Sequence, residues 1–288
     1  MPLAFTKMEA AGNDLILLDE RPRTRADPGG LARRLCDRHF GVGSDGLLVI
    51  ETGEDGLPLM RMFNPDGTED FCGNGLRCAA AWLFDRGEAH HENLLIRTPR
   101  GVHRARVCPS GPAAFSVDME ILRPLFRPRD IPMIASGEGV LRYPLEVAGE
   151  RWAVSCVNTG TTHTALFAER EPGEEVFARV SPLIERHPAF PERTSVLWCR
   201  PEGRERVHVR VWERGVGETL ACGSGACAAV VLGRCLGLLE RGAEVVMRGG
   251  RMFVRWPEPG VVRLAGQARI VYSGQWLGPV EGREASDS

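Results

Sequence analysis

No stretch of this 288-residue sequence runs apolar for the roughly 18 residues that a membrane-spanning helix needs. A secretory signal is missing too, because Lys7, Glu9 and Asp14 interrupt the apolar runs near the start. There is no surplus of charge: 36 basic residues face 38 acidic ones, a formal net charge of −2, so no long-range field gathers nucleic acid or an anionic membrane. Cys-x-x-Cys knuckles are absent as well, since Cys72 and Cys78, and Cys222 and Cys227, stand too far apart for that zinc spacing. No lysine sits in a recognisable pyridoxal-phosphate setting. These absences leave a soluble cytoplasmic protein with a small-molecule partner, no nucleic acid, no membrane, no metal and no cofactor, with room for a homodimer. Nine cysteines, an odd number without an export signal, read as reduced thiols.

What is present is β-rich. Strand-like runs bounded by turn residues occur at Leu15–Leu18, Gly46–Ile50, Leu59–Phe63, Leu94–Ile96, Ala114–Val117, Val154–Val157, Val207–Trp212, Val245–Met247, Val261–Leu264 and Ala268–Tyr272. Helical length and pattern appear at Gly29–Arg38, Gly73–Arg86, Glu174–His187 and Gly223–Leu239. That ratio disfavours a doubly wound sheet. The proline-rich and charged segment Arg123–Pro132 reads as a connector between two domains.

The chain also repeats itself. Phe63–Gly75 registers against Glu213–Gly225 at an offset of 150 residues, with Gly67/Gly217, Cys72/Cys222, Gly73/Gly223 and Gly75/Gly225 coinciding. In both copies a strand enters and an alanine-rich helix leaves. Each cysteine therefore lies at a helix N-terminus, where unpaired N–H groups and the helix dipole favour negative charge and bind anions. One such cysteine would read as a small core hydrophobe. Two in the same setting suggest a two-base site for an amino acid: one sulfur takes the α-proton, the other gives one to the opposite face, and the N–H groups of Gly73, Asn74, Gly223 and Ser224 stabilise the charged carboxylate. Cys36, Cys78, Cys108, Cys156, Cys199, Cys227 and Cys235 read as core residues without chemistry.

Two other motifs point elsewhere. Gly41–Gly46 has the bare spacing of a dinucleotide fingerprint, but it leads into a strand rather than out of one, so it reads as a glycine-rich turn. His90 and His91 lie in a polar segment and read as a solvated loop.

Taken together, Gly12-Asn13-Asp14, the run Arg38–Gly46, Phe63–Gly67, Cys72–Gly75, Glu213-Arg214-Gly215 and Ala221–Gly225 resemble the diaminopimelate epimerase family. The resemblance implies an α/β fold of two pseudo-symmetric domains, each a curled mixed sheet around a central helix. The last strand would return to the first domain, giving 1–122 plus 271–288, with Cys72, and 123–270, with Cys222. It implies cofactor-independent inversion of LL- to meso-diaminopimelate, a step in lysine and peptidoglycan precursor synthesis. Cys72 and Cys222 would be the acid–base pair, Gly73, Asn74, Gly223 and Ser224 would hold the reacting carboxylate, and Asn13, Asn64, Glu213 and Arg214 would orient the rest of the substrate.

At two positions the chain departs from the pattern. Thr161 and Ser195 stand where the family usually carries longer amides, which shortens the grip on the distal amino-acid end. A sister racemase acting on histidine or another polar amino acid is the nearest alternative, although Arg214 suits a second carboxylate. Outside catalysis, the same cysteines could serve an amino-acid binder or a thiol redox sensor.

Overall fold

A helix with no polar side has to be enclosed on every side. Two helices of this chain are of that kind, α2 (Gly73–Asp85) and α4 (Gly223–Cys235), each with its first eleven residues buried. The computed structural model describes residues 2–21, 26–88 and 94–278. His90 and His91 lie outside them. Two compact units emerge: residues up to Met119 together with those from Gln267, and residues Glu120–Gly266. The connector Arg123–Pro132 falls within the second, where Pro128–Asp130 form a short 3-10 turn.

In the first unit the elements run β1 (Leu3–Ala10), β2 (Asn13–Asp19), α1 (Pro28–Leu35), β3 (Gly46–Thr52), β4 (Pro58–Phe63), β5 (Glu69–Asp70), α2, β6 (Leu94–Thr98), β7 (Gly101–Gly111) and β8 (Ala114–Glu120). β1–β2 pair antiparallel, β2–β3 parallel, β3–β4 antiparallel, β4–β6 parallel, and β6–β7 and β7–β8 antiparallel. α2 packs against β1, β2, β3, β4 and β7. The mixed sheet thus wraps one helix.

The second unit begins with β9 (Val140–Val147) and repeats that order: β10 (Glu150–Asn158), β11 (Thr162–Phe167), α3 (Glu174–Glu185), β12 (Ser195–Pro201), β13 (Arg206–Glu213), β14 (Gly217–Thr219), α4, β15 (Gly242–Met247), β16 (Gly250–Arg255) and β17 (Arg263–Trp276). Its pairings follow the same sequence, β10–β11 antiparallel, β11–β12 parallel, β12–β13 antiparallel, β13–β15 parallel, then β15–β16 and β16–β17 antiparallel. β17 contributes Arg263–Gly266 to this ladder, while its residues from Arg269 to Trp276 pair with β1. Val261–Leu264 and Ala268–Tyr272, read from the sequence as separate runs, belong largely to this one long strand, which begins at Arg263. Nothing between them turns the chain.

Continuous apolar runs mark the strands buried on both faces. In β3, Leu47 and Val49 join the core beneath α1, while Leu48 points at the start of α2, with its Cδ2 where a side chain on Gly75 would begin. β12 divides in the same way: Val196 and Trp198 pack under α3, and Leu197 meets Gly225 of α4. The remaining cysteines correct one expectation. Cys36, Cys78, Cys156, Cys199 and Cys227 are buried, but Cys108 is half-buried and Cys235 exposed, because the last turn of α4 emerges from the sheet.

A Cβ on Gly75 would sit 2.7 Å from Leu48 Cδ2. Gly75→Ala is therefore expected to cost about 1–3 kcal/mol through overpacking, and Leu48→Ala about 2–5 kcal/mol through its cavity. The double variant should cost less than the two together, because the new methyl occupies part of the space that the leucine leaves. Urea midpoints for the three variants check this, and strict additivity would contradict the contact.

Candidate functional site

Each enclosed helix starts at a cysteine. Cys72 caps α2 with an extended backbone, φ −129° and ψ 109°, and its Sγ accepts the Gly75 N–H at 3.2 Å. Cys222 caps α4 with φ −132° and ψ 114°, and its Sγ accepts the Gly225 N–H at 3.3 Å. The sequence repeat is therefore also a repeat of hydrogen-bond geometry. In both helices the N–H groups of the first two residues, Gly73 and Asn74 or Gly223 and Ser224, have no acceptor within the helix, as helix geometry requires. Two donors and a dipole end thus lie beside each sulfur, an arrangement suited to a carboxylate.

The side chains around the two sulfurs differ. Around Cys72, which is half-buried, the thiol faces Asn13 Oδ1 at 3.8 Å. Asn13 opens β2 directly after the Ala11-Gly12 turn, so the hairpin with β1 sets its position. Asn74 is buried, with its Oδ1 accepting from Arg77 Nη2 at 2.6 Å. Arg77, buried on the same helix, thereby turns the amide so that its oxygen points inward. Asn64 follows the end of β4 and serves its own turn: its Nδ2 donates to Thr68 Oγ1 at 3.0 Å and its N–H to the Thr68 carbonyl at 2.8 Å.

Cys222 is buried, and burial first, then the Glu213 charge, pushes its thiol well up, so the resting group is protonated. Ser224 Oγ lies 3.4 Å from the sulfur and His163 Nε2 3.8 Å from it. The imidazole is fully enclosed on β11. Burial pushes its pKa down to about 4, against the hydrogen bond to the Thr161 carbonyl at 2.9 Å from Nδ1. Since a carbonyl only accepts, Nδ1 carries the proton and Nε2 presents its lone pair toward Cys222 and Ser224. Thr161 therefore contributes its backbone to this arrangement, and Thr159 Oγ1 ties it to α4 by donating to the Ser224 carbonyl at 2.8 Å.

The segment Glu213-Arg214-Gly215 is braced from α3. Glu185, the last residue of that helix and buried, accepts from Gly215 N at 3.0 Å and Trp212 Nε1 at 2.8 Å. Ser195 is buried too, and its Oγ accepts the Arg214 N–H at 3.1 Å. The Arg214 guanidinium reaches the Glu192 carbonyl at 3.3 Å, while Glu213 accepts from the Thr219 hydroxyl. Sequence reasoning missed His163 and Glu185. His163 carried one signal, its place at the end of the Thr159–His163 turn; Glu185 carried none, being an acid at the end of an amphipathic helix.

The model of the family described as diaminopimelate epimerase matches residues 5–121 and again 155–271, two copies with the same 150-residue offset as the two cysteines. The diaminopimelate epimerase of Moorella thermoacetica is 40% identical over 275 residues, covering 94% of this chain and 98% of its own length. Among solved structures, a predicted epimerase of Pseudomonas aeruginosa superimposes with a TM-score of 0.71 at 19% identity, covering 96% of this chain and 100% of its own. A hydroxyproline epimerase of Agrobacterium vitis, with trans-4-hydroxy-L-proline bound, does so at 0.64 and 13% identity over 95% of this chain and 92% of its own. At those identities the structures speak for the fold alone, the two-unit α/β architecture described above. The sequence match carries the rest: with the family model found in both halves and a relative at 40% identity along nearly its full length, the chain belongs to the diaminopimelate epimerase family.

Proposed function

We propose that this protein inverts an α-carbon of diaminopimelate, interconverting the LL and meso isomers, with Cys72 and Cys222 as the acid–base pair. The observation that carries this reading is the repeated cap: two thiols, each accepting from the third amide of its helix at 3.2 and 3.3 Å, each beside two N–H groups that the helix leaves over. One sulfur, as thiolate, removes the α-proton. The other, as thiol, returns a proton to the opposite face, and microscopic reversibility exchanges the roles for the other isomer. Because the Cα–H bond is a weak acid, the developing charge on the carboxylate needs preorganised donors; the N–H groups of Gly73, Asn74, Gly223 and Ser224 have that role. Burial and the Glu213 charge raise the Cys222 thiol, which favours it as the proton donor in one direction of the reaction.

Asn13, Asn64, Glu213 and Arg214 orient the substrate in this reading. Arg214 takes the distal carboxylate, for which a guanidinium offers paired donors. Ser195 acts through Arg214, whose N–H it accepts at 3.1 Å, and Thr161 through His163, whose Nδ1 faces its carbonyl at 2.9 Å.

Incubated with LL-diaminopimelate in D₂O, the protein is expected to yield the meso isomer labelled at one α-carbon, and to leave free L-histidine unchanged. Cys72→Ala and Cys222→Ala should each lower epimerisation by roughly 10²–10⁴-fold, with circular dichroism and melting close to the parent. Near-parental turnover by either one would overturn the two-cysteine assignment.

Ser195→Ala should act on affinity. It removes the acceptor of the Arg214 N–H, so KM for diaminopimelate should rise by about tenfold while kcat changes little, as expected when a contact holds ground and transition states alike. A fall in kcat at constant KM would move Ser195 into the chemical step.

His163 supplies a pH prediction. Its folded pKa, about 4, lies below the ordinary 6.5, so the stability tied to its neutral form is complete above pH 6.5 and is lost as pH falls toward 4. The loss can reach roughly 3 kcal/mol. Urea melts of the parent and of His163→Gln at pH 7.5 and pH 4.5 should converge at the lower pH; a constant gap would refute a neutral buried imidazole.

A further inference from the structure

We propose that Asp45, delivered by the glycine-rich turn Gly41–Gly46, is a positioning residue that fixes the Asn13 carboxamide with its oxygen, and not its NH₂ group, turned toward Cys72. The assignment rests on the reading of Cys72 as an acid–base residue.

Both oxygens of the Asp45 carboxylate are in use. Oδ2 accepts from Asn13 Nδ2 at 3.1 Å and from the Asp14 N–H at 3.1 Å, and Oδ1 accepts from Arg38 Nη2 at 2.6 Å. The Asp45 N–H in turn donates to the Asp14 carbonyl at 2.9 Å, which holds the end of the turn against the start of β2. A carboxylate has no donor to offer, so an amide facing it must present NH₂. The other end of the same planar group, Oδ1, then faces the Cys72 sulfur at 3.8 Å. An oxygen there accepts the S–H of a thiol and opposes a thiolate; an NH₂ group would do the reverse. The direction of one amide therefore decides which protonation state of Cys72 its neighbour favours.

The surrounding charges keep Asp45 in place. Arg38 bridges it to Asp14, reaching Asp14 Oδ1 at 2.8 Å, and Lys7 of β1, buried, pairs with Asp14 Oδ2 at 2.5 Å and donates to the Gly43 carbonyl. Two cations thus face two acids. Glu9, also on β1, accepts the Gly12 N–H at 3.0 Å in the same hairpin. Burial opposes ionisation of Asp14, but the Arg38 and Lys7 hydrogen bonds hold it down at about 2. Gly43 has φ +80°, a left-handed backbone that a side chain would strain, and Arg38 lies close against it, so glycine lets the turn close here. The glycine spacing that resembles a dinucleotide loop serves here to bring a carboxylate to the back of an amide.

The test is site-resolved alkylation of Cys72 by iodoacetamide, followed by peptide mass spectrometry on the full chain across pH 6–10, beside epimerisation kinetics. Asp45→Ala frees the amide to turn. Cys72 alkylation at pH 7 should then rise by about tenfold, the factor that one pKa unit gives, and kcat should fall more than KM changes. Asp45→Asn, nearly isosteric, must set an NH₂ against either Arg38 or the Asn13 and Asp14 donors, and should move alkylation the same way by a smaller factor. In Asn13→Leu, which has no amide to turn, adding Asp45→Ala should change Cys72 alkylation no further. An equal shift with and without the Asn13 amide would show a through-space effect of charge and overturn the proposal. So would an unmoved alkylation profile with a lowered melting temperature, the mark of a purely structural tie. Alkylation reads the thiol whether or not the protein turns over diaminopimelate, so failure of the proposed function and failure of this assignment leave different results.

Discussion

The first turn of each enclosed helix is held between the sulfur that accepts its third amide and a leucine of the sheet, and between the two the residue bearing that amide has no room for a side chain. Gly75 and Gly225 follow from this, since a Cβ would stand 2.7 Å from Leu48 Cδ2 at the first and 3.0 Å from Leu197 Cδ2 at the second, with the capping sulfur on the other side. The space they leave open is filled from below by Leu48 and Leu197, so the same glycine that lets the thiol close on the helix lets the sheet close on it. Burial of the whole first part of α2 and α4 is the outcome. Dense packing at this point then holds the thiol in one orientation, as the proton transfer proposed for it requires.

The backbone is duplicated while the side chains have diverged. One sulfur looks at an amide oxygen held by a neutralised cluster of charges, the other at an imidazole, a hydroxyl and an acid. In the function proposed above the two sulfurs hold one proton between them, and their different neighbours set how firmly each keeps it.

Legibility in the sequence followed locality. The four helices were readable from their pattern, and the cysteine–glycine repeat was readable because cap, glycine and helix are contiguous. Not every strand was: the apolar run of β12 went unread, and so did strands with mixed inward faces. β1 buries Lys7 and shifts register between Lys7 and Met8, which breaks the alternation, and β7 turns His103, Ala105 and Val107 inward, a set too small and polar to stand out. The partners of the sulfurs were visible only in part: Asn13 and His163 each lie 59 positions from their cysteine, and where Asn13 belonged to a recognisable run, the turn ending at His163 did not show that the imidazole faces Cys222. Ser195 shows the same gap, since its short side chain suggested a shortened reach while its hydroxyl accepts a backbone amide.

The strand β17 carries an implication for how the chain is made. Its residues from Arg269 to Trp276 are the partners of β1 from Leu3 to Glu9, and they are translated only after every residue of the second unit. One edge of β1 is covered at once by β2, but the other waits for about 260 residues of synthesis before its partner on that side arrives, so the first unit is completed only after the second has been made.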